Sequence, residues 1–142
     1  MPALEPDEAR RRFAAAQVAS LATITPDGFP HVVPITFALE GERIYSIVDA
    51  VKPKSSQSPA RLRNIEANPR VSILVDEYRD EWSQLWWVRA DGIARSVADG
   101  PGWEWAIGIL RAKYRQYQAV GLEFGPAMIV DVERWIGWSA RT

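Results

Sequence analysis

Three β-rich runs follow one another in the first third of the chain, and two short turn sequences separate them. Pro-Asp-Gly at 26–28 and Glu-Gly-Glu at 40–42 are typical of hairpin connections, which join antiparallel neighbours. The sequence therefore predicts antiparallel strands at about 17–25, 30–39 and 43–50.

Pro34 lies inside the second of these runs. Alternation along a strand places Val33 and Ile35 on one face and Pro34 on the other. Because proline has no N–H to donate to a sheet, it marks an edge strand, a bulge or a place where something other than a strand lies alongside.

The rest of the chain alternates between helical and strand patterns. Asp7 is expected to cap a first helix at 6–17, and Ser58 a second at 58–69 with Pro59 at its first position. A third helical pattern covers 102–117, and further strands are predicted at 70–79, 84–97 and 126–140. Six mostly antiparallel strands with a few helices predict a mainly β, closed barrel, because closure removes exposed sheet edges. The length favours one domain over 1–142.

Composition excludes several kinds of protein. With no cysteine and only His31 as histidine, disulfides, thiolate chemistry and histidine-rich metal sites are excluded, and no metal site is expected. The charged N-terminus does not resemble a signal peptide, and no apolar run approaches the ~18 residues of a membrane span. We therefore expect a cytoplasmic protein that does not enter the membrane.

A basic segment stands out in a chain whose formal net charge is -1. Residues 51–70 hold Lys52, Lys54, Arg61, Arg63 and Arg70 against one acid, Glu66. This charge could be a solvated face, a nucleic-acid contact or a site for an anionic small ligand. Overall acidity weighs against nucleic acid, which needs a broad positive field. A helix start with nearby cations and serine hydroxyls is what a phosphate requires, although no nucleotide-binding fingerprint is present.

Conventional acid–base chemistry finds little support. His31 has no nucleophile elbow beside it, and a lone histidine at a strand start is more often structural. Trp86 and Trp87 should face opposite sides of one strand, so one of them must meet a partner, a ligand or solvent. Arg89 and Asp91 share a face and are expected to form a structural ion pair. A homodimer interface or a cofactor pocket is plausible at this face.

The ordered series ASLATITPDGFPHVVPITFALEGERIYSIVD, KPK, RLRNIEANPRVSILVD and LWWVRADGIA resembles the split-barrel flavoproteins related to pyridoxamine 5'-phosphate oxidase. Within that group it is most similar to the actinobacterial branch of deazaflavin (coenzyme F-420) dependent oxidoreductases. The resemblance implies a six-stranded antiparallel split β-barrel that forms a homodimer, with two equivalent cofactor sites between the subunits. True pyridoxamine-phosphate oxidases carry further arginine and histidine residues for the substrate phosphate, so oxidation of vitamin B6 is not expected.

The resemblance also implies a set of cofactor-binding residues. Lys52 and Lys54 would hold the cofactor's phosphate or acidic tail, with Arg61 and Asn64 behind them. The ring would be lined from two neighbouring strands, by Val33, Pro34, Ile35, Ser46, Ile47 and Val48. No catalytic acid or base is expected from the protein, because the cofactor carries the chemistry.

Three functions therefore remain open on the sequence. The leading hypothesis is an F-420-dependent oxidoreductase that passes hydride between the cofactor and an unsaturated small molecule. An FMN-dependent oxidoreductase is the alternative among enzymes. A protein that binds flavin, deazaflavin or haem without turnover is the third, with His31 the one histidine that could ligate haem.

Overall fold

Seven strands and three α-helices form the described part of the chain, which in this computed structural model covers residues 3–49, 59–119 and 123–140. The helices are α1 Pro6–Ala15, α2 Ala60–Ala67 and α3 Gly100–Lys113. The strands are β1 Ala19–Ile24, β2 Pro30–Ile35, β3 Ala38–Glu40, β4 Arg43–Asp49, β5 Arg70–Glu77, β6 Trp86–Val97 and β7 Phe124–Ser139. Short 3-10 turns span Trp82–Gln84 and Arg115–Gln118.

All the strands belong to one antiparallel sheet of order β2-β1-β5-β6-β7-β4-β3. Its two end strands, β2 and β3, are consecutive in the chain and only Thr36 and Phe37 separate them. Because so short a connection cannot span an open seven-stranded sheet, the sheet must curl until its ends meet. This confirms the predicted mainly β split-barrel fold, whereas the predicted count of six strands is wrong.

The extra strand arises because the predicted run 30–39 is broken at Thr36 and Phe37. Ile35 pairs with Ala19 of β1, whereas Ala38 pairs with Tyr45 of β4. At the break, the Tyr114 hydroxyl accepts a hydrogen bond from Phe37 N (3.0 Å) and donates one to Phe37 O (2.8 Å). A tyrosine side chain thus replaces the strand neighbour that the backbone loses as it changes partners.

Pro34 lies on β2, at an edge of the sheet and opposite Ser20. The edge-strand interpretation of this proline is therefore confirmed. Its missing N–H costs no sheet hydrogen bond there, because the outer side of β2 has no neighbouring strand among the described residues.

Two irregularities bend β7, the longest strand. Between Asp91 and Gly92 the register with β6 shifts by one residue, which leaves Glu133 as the extra residue. A Cβ built on Gly92 would lie 2.4 Å from the carbonyl oxygen of Asp131, so only glycine allows this approach. A second shift between Ile47 and Asp49 brings Gly125 and Pro126 opposite Val48.

The barrel interior is one apolar core, closed by helices. Phe13 of α1 packs against Phe37 at 4.8 Å and against Trp135 at 5.1 Å between ring centroids. Leu62 and Ile65 of α2 enter the same core. These amphipathic contacts, rather than the short helices' own propensity, hold α1 and α2 in place.

A second apolar cluster lies outside the barrel wall, under α3. Ala106, Ile107 and Leu110 of α3 pack there on Tyr45 and Ile129, the outward residues of β4 and β7. The outward side of β1, β2, β5 and the first half of β6 has no such cover within the described residues. We call this surface the open outer face.

The helix boundaries differ from the predicted ones at their ends. Glu5, not Asp7, precedes α1, and α2 begins at Ala60 with Pro59 before it. Ser58, its predicted cap, lies outside the described residues. The pattern at 102–117 divides into α3 and a 3-10 turn, because the chain turns extended at Tyr114. No helix in the described ranges is long and apolar enough to cross a membrane.

Candidate functional site

A small cleft lies between the end of β2 and the middle of β4. Its volume is about 180 Å³. Apolar groups from both strands, hydroxyl groups and one guanidinium share its surface, and the lining residues are Pro34, Ile35, Thr36, Ser46, Ile47, Arg61 and Tyr117. We call it the β2–β4 cleft.

Hydrogen bonds fix the hydroxyl groups of this cleft. Ser46 Oγ donates to the carbonyl oxygen of Thr36 at 2.7 Å. Thr36 Oγ1 and the Tyr117 hydroxyl oxygen lie 2.6 Å apart, as hydrogen-bonded hydroxyls do. Arg111 Nε donates to the carbonyl oxygen of Tyr117 at 3.0 Å, which holds the turn that carries this ring. The polar side of the cleft is therefore preorganised.

A second hollow of about 250 Å³ adjoins the first and shares Arg61 with it. His31 and Val33 of β2 form one wall, and Pro59 and Ala60 at the start of α2 form the other. His31 Nδ1 is buried and has no hydrogen-bond partner within the described chain. We call this the side hollow; a buried, unsatisfied ring nitrogen there is unusual in a folded protein.

The structure brings most of the predicted cofactor residues together. Five of them, Pro34, Ile35, Ser46, Ile47 and Arg61, line the β2–β4 cleft, and Val33 lines the side hollow. Segment 50–58, which joins β4 to Pro59, lies outside the described residues, and Lys52 and Lys54 fall within it. These two lysines stay a prediction.

Two predicted residues lie elsewhere. Asn64 is in the interior, where its amide donates to Thr23 Oγ1 at 3.0 Å between α2 and β1. Val48 lies opposite the irregular start of β7 and packs on the barrel core. Neither lines the cleft or the side hollow. The sequence did not reveal the burial of Asn64, because a polar side chain close in sequence to Arg61 can face either the cleft or the interior of the protein.

Thr36 and Tyr117 also line the cleft and were not predicted from the sequence. Both sit where regular structure stops, Thr36 at the end of β2 and Tyr117 in the turn after α3. The signal that was available is the pair Tyr114 and Tyr117, since both are large aromatic side chains at a helix end and a tyrosine that is buried usually finds a partner for its hydroxyl. In the structure both are buried.

The predicted ion pair of Arg89 and Asp91 is confirmed and lies on the open outer face. Asp91 accepts hydrogen bonds from Arg89, Arg134 and Ser72, at 2.8, 2.7 and 2.7 Å. Burial opposes ionisation of this carboxyl, but the three donors outweigh it and lower the pKa of Asp91 to about 2. A fully engaged carboxylate is a structural group rather than an acid or base. A cleft of about 600 Å³ adjoins it.

Comparison with known proteins shows the family of the whole chain. A family model described as pyridoxamine 5'-phosphate oxidase matches residues 5–139. The chain belongs to this family. No curated protein matches the pyridoxamine 5'-phosphate oxidase-like chain.

Solved structures share the fold of this pyridoxamine 5'-phosphate oxidase family member. An FAD-binding protein from Mesorhizobium loti is 23% identical with a TM-score of 0.71, over 96% of this chain and 95% of that one. The FAD-binding protein of Mycobacterium smegmatis is 17% identical with a TM-score of 0.62, over 97% of each chain. The haem storage protein HutZ of Vibrio cholerae is 19% identical with a TM-score of 0.67, over 94% and 93%. At these identities the likeness establishes a common fold.

The groups present in the two hollows fit a planar, anionic cofactor. Pro34 is exposed and offers apolar surface beside the buried Ile35 and Ile47. The fixed hydroxyls of Thr36, Ser46 and Tyr117 can hydrogen-bond a polar ring edge. Arg61 supplies a cation where the hollows meet. The imidazole ring of His31 lines the side hollow and is a further polar group beside the space that a ligand would fill.

Proposed function

We propose that the protein is a deazaflavin (coenzyme F-420) dependent oxidoreductase that holds its cofactor in the β2–β4 cleft and the side hollow. The observation that carries this proposal is the meeting of Pro34, Ile35, Ser46, Ile47 and Arg61 around one cleft. These residues come from β2, β4 and α2, and the resemblance had assigned all five to a cofactor. Membership of the pyridoxamine 5'-phosphate oxidase family, which includes oxidoreductases, supports the same function.

Each group of residues has a distinct role in this proposal. The apolar side chains of the cleft shield and orient the ring, and the hydroxyl groups bind its polar edge. Arg61, with Lys52 and Lys54 from the segment outside the described residues, binds the phosphate or the acidic tail. A bound deazaflavin supplies hydride transfer at its C5, and a bound FMN supplies it at N5. No protein acid or base is required for that transfer.

The proposal includes a homodimer with a cofactor site at each end of the subunit interface. The open outer face begins at β2, whose Pro34 also lines the β2–β4 cleft. A second chain that covers this face would therefore reach the edge of the cleft. It would also exclude water from the ring, which hydride transfer requires.

A cofactor titration tests the proposal directly. Purified protein is titrated with coenzyme F-420, FMN and FAD, and each reduced complex is mixed with enones, nitro compounds and quinones. Tight F-420 binding with reoxidation by at least one acceptor is the expected result. A protein that purifies yellow and turns over with FMN alone would replace F-420 with FMN. Binding of any of the three without reoxidation would reduce the function to cofactor carriage.

Haem binding is the second candidate function, and the geometry of His31 favours it. This residue lines the side hollow, so its imidazole ring borders the space that a ligand would fill. A protein of the same fold, HutZ, is a haem storage protein. Titration with hemin should then produce a Soret band that disappears in His31→Ala. An unchanged spectrum in that variant would exclude His31 as the ligand.

A further inference from the structure

A cleft of about 620 Å³ lies between α3 and the start of β7, and it shares no lining residue with the β2–β4 cleft or the side hollow. Trp103, Ile107 and Phe124 form its apolar surface. Glu104, Arg111 and Glu123 stand around it, and Gly108 forms part of its wall. We call it the α3 cleft; its volume is typical of small-molecule sites, which span about 300–1,000 Å³.

The aromatic surface of the α3 cleft is held in place before any ligand arrives. Trp103 Nε1 donates to the carbonyl oxygen of Gly125 at 2.9 Å, which fixes the indole against β7. The Arg111 guanidinium lies 5.1 Å from the centroid of the Phe124 ring, while its Nε bonds to Tyr117. Rigid aromatic walls of this kind bind planar rings without a large ordering cost.

Gly108 is a glycine in the interior of α3, where it weakens the helix relative to alanine. A Cβ built on it would meet no atom within 4 Å in the described part of the chain. Neither packing nor backbone conformation therefore requires glycine at this position. Because Gly108 has no side chain, the wall of the α3 cleft stays open at this position. Glu104 and Arg111 lie about one helical turn before and after it.

The charges around the α3 cleft select among planar ligands. Glu104 is exposed at the rim of the cleft, and the guanidinium of Arg111 lies over Phe124. The carboxylate oxygens of Glu104 accept hydrogen bonds, which favours a ring with N–H donors.

We propose that the α3 cleft binds a planar heteroaromatic ring carrying an exocyclic amine, of the aminopurine type. The ring lies on Trp103 and Phe124, in the space that Gly108 leaves open, and its exocyclic amine bonds to Glu104. The residues that line this site are separate from those of the proposed cofactor cleft. The ring is either the base of a dinucleotide cofactor or part of a separate molecule.

Isothermal titration of the full chain with adenosine tests the proposal, with inosine as a matched ligand that lacks the amine. We expect saturable binding of one adenosine per chain and weaker binding of inosine. Gly108→Leu should weaken adenosine binding about tenfold or more, equivalent to at least about 1.4 kcal/mol. Ala112→Leu, on an exposed position of the same helix that does not line the cleft, should leave it unchanged.

Two further variants separate a binding role from a folding role. Gly108→Ala should raise the Tm, because alanine favours the helix and nothing crowds its Cβ. Glu104→Gln, at an exposed position, should keep the Tm and lower adenosine affinity several-fold. No saturable binding to the wild-type chain would overturn the proposal. So would wild-type affinity in both Gly108→Leu and Glu104→Gln.

FMN and FAD distinguish the two sources of the ring. If the chain binds FAD more tightly than FMN, and Gly108→Leu makes the two affinities equal, the ring in the α3 cleft is the adenine of the dinucleotide cofactor. If adenosine binds equally well with and without FMN present, the ring belongs to a second molecule. Because adenosine binding is measured without any flavin, failure of the proposed cofactor cleft would leave this result intact.

Discussion

Arg61 borders both the β2–β4 cleft and the side hollow, which makes it the described cation best placed to bind an anionic cofactor. Arg61→Ala should weaken binding of F-420 or FMN by about ten- to a hundredfold, since losing a charge-assisted hydrogen bond costs about 1.5–3 kcal/mol. Equilibrium dialysis or fluorescence titration measures the change. Arg63→Ala is the matched control, because Arg63 is exposed on the same helix and lines neither hollow.

The paired variant Lys52→Ala with Lys54→Ala should also weaken cofactor binding by at least about tenfold. If the double lysine variant binds the cofactor with wild-type affinity and Arg61→Ala binds it more weakly, the anionic group of the cofactor is bound at the start of α2 and not by the lysines. Wild-type affinity in both would contradict the proposed site.

Lys113 provides a residue-level test of pH dependence. Its Nζ donates to the carbonyl oxygens of Ala16 at 2.6 Å and Phe37 at 2.9 Å, and it forms no ion pair with a carboxylate in the described chain. Burial lowers the pKa of this amine from 10.5 to about 8. Between those values the unfolded chain binds more protons than the folded chain, so the contribution of Lys113 to stability rises with pH.

The free energy of unfolding of the wild type, minus that of Lys113→Met, should therefore increase between pH 8 and 10.5 and stay constant below pH 7. Denaturant titrations at several pH values measure it. Subtracting the two free energies of unfolding cancels the pH dependence of the titratable groups that the wild type and Lys113→Met share. Lys113→Arg stays charged throughout and should show no such increase; a flat difference for Lys113→Met would mean that the amine is solvated.

At the scale of elements, sequence patterns located the strands but not their partners. Alternation runs without a fault from residue 30 to 39, so it predicts one strand. The break at Thr36 and Phe37 leaves no trace in that pattern, because both halves bury the same face. The evidence for it lies far away in sequence, in the Tyr114 hydroxyl that replaces the missing neighbour. The two residues that the cofactor prediction missed, Thr36 and Tyr117, lie next to this break for the same reason.

The irregularity shared by β6 and β7 gives a prediction about an element. Gly92→Ala would place a methyl group 2.4 Å from Asp131 O and 2.9 Å from a Val130 methyl. Because the nearest atom is backbone, the strands must move apart, and overpacking of this kind typically costs about 1–3 kcal/mol. Urea denaturation should show that loss. Gly102→Ala is the control, since its Cβ would make only ordinary contacts beyond 3.8 Å; equal stability of the two variants would contradict the bulge geometry.

At the scale of the whole molecule, the barrel was predictable because it follows from hairpins and from the cost of exposed edges. The six-stranded expectation still led to the right architecture, since the extra strand β3 is a three-residue continuation of the run that contains β2. The β2–β4 cleft was only partly predictable. Its strand residues were expected from the family resemblance, whereas the turn that brings in Tyr117 depends on how α3 packs outside the wall.

The open outer face gives the last prediction, that a second copy of the chain covers it. Val32 and Leu74 expose 63% and 37% of their surface there, and Trp87 is half-buried beside a cleft of about 370 Å³. Among the charged groups of this face, Asp91 has its donors within the chain and a pKa of about 2, so it can be covered without leaving an unpaired acceptor. A stable interface takes about 800 Å² per partner, roughly a tenth of the 8716 Å² of this chain's surface.

Light scattering coupled to gel filtration should therefore give twice the chain mass of 16.0 kDa. Val32→Glu combined with Leu74→Glu should give the single-chain mass, because burying two added carboxylates at the interface costs desolvation free energy. It should also lose cofactor affinity, since the cofactor sites are proposed to lie at the edge of the interface. Ala112→Glu, on α3 at the covered side of the barrel, should remain dimeric. A wild-type chain that stays monomeric at high concentration would contradict the dimer, and a dimer that both variants retain would place the interface on another face.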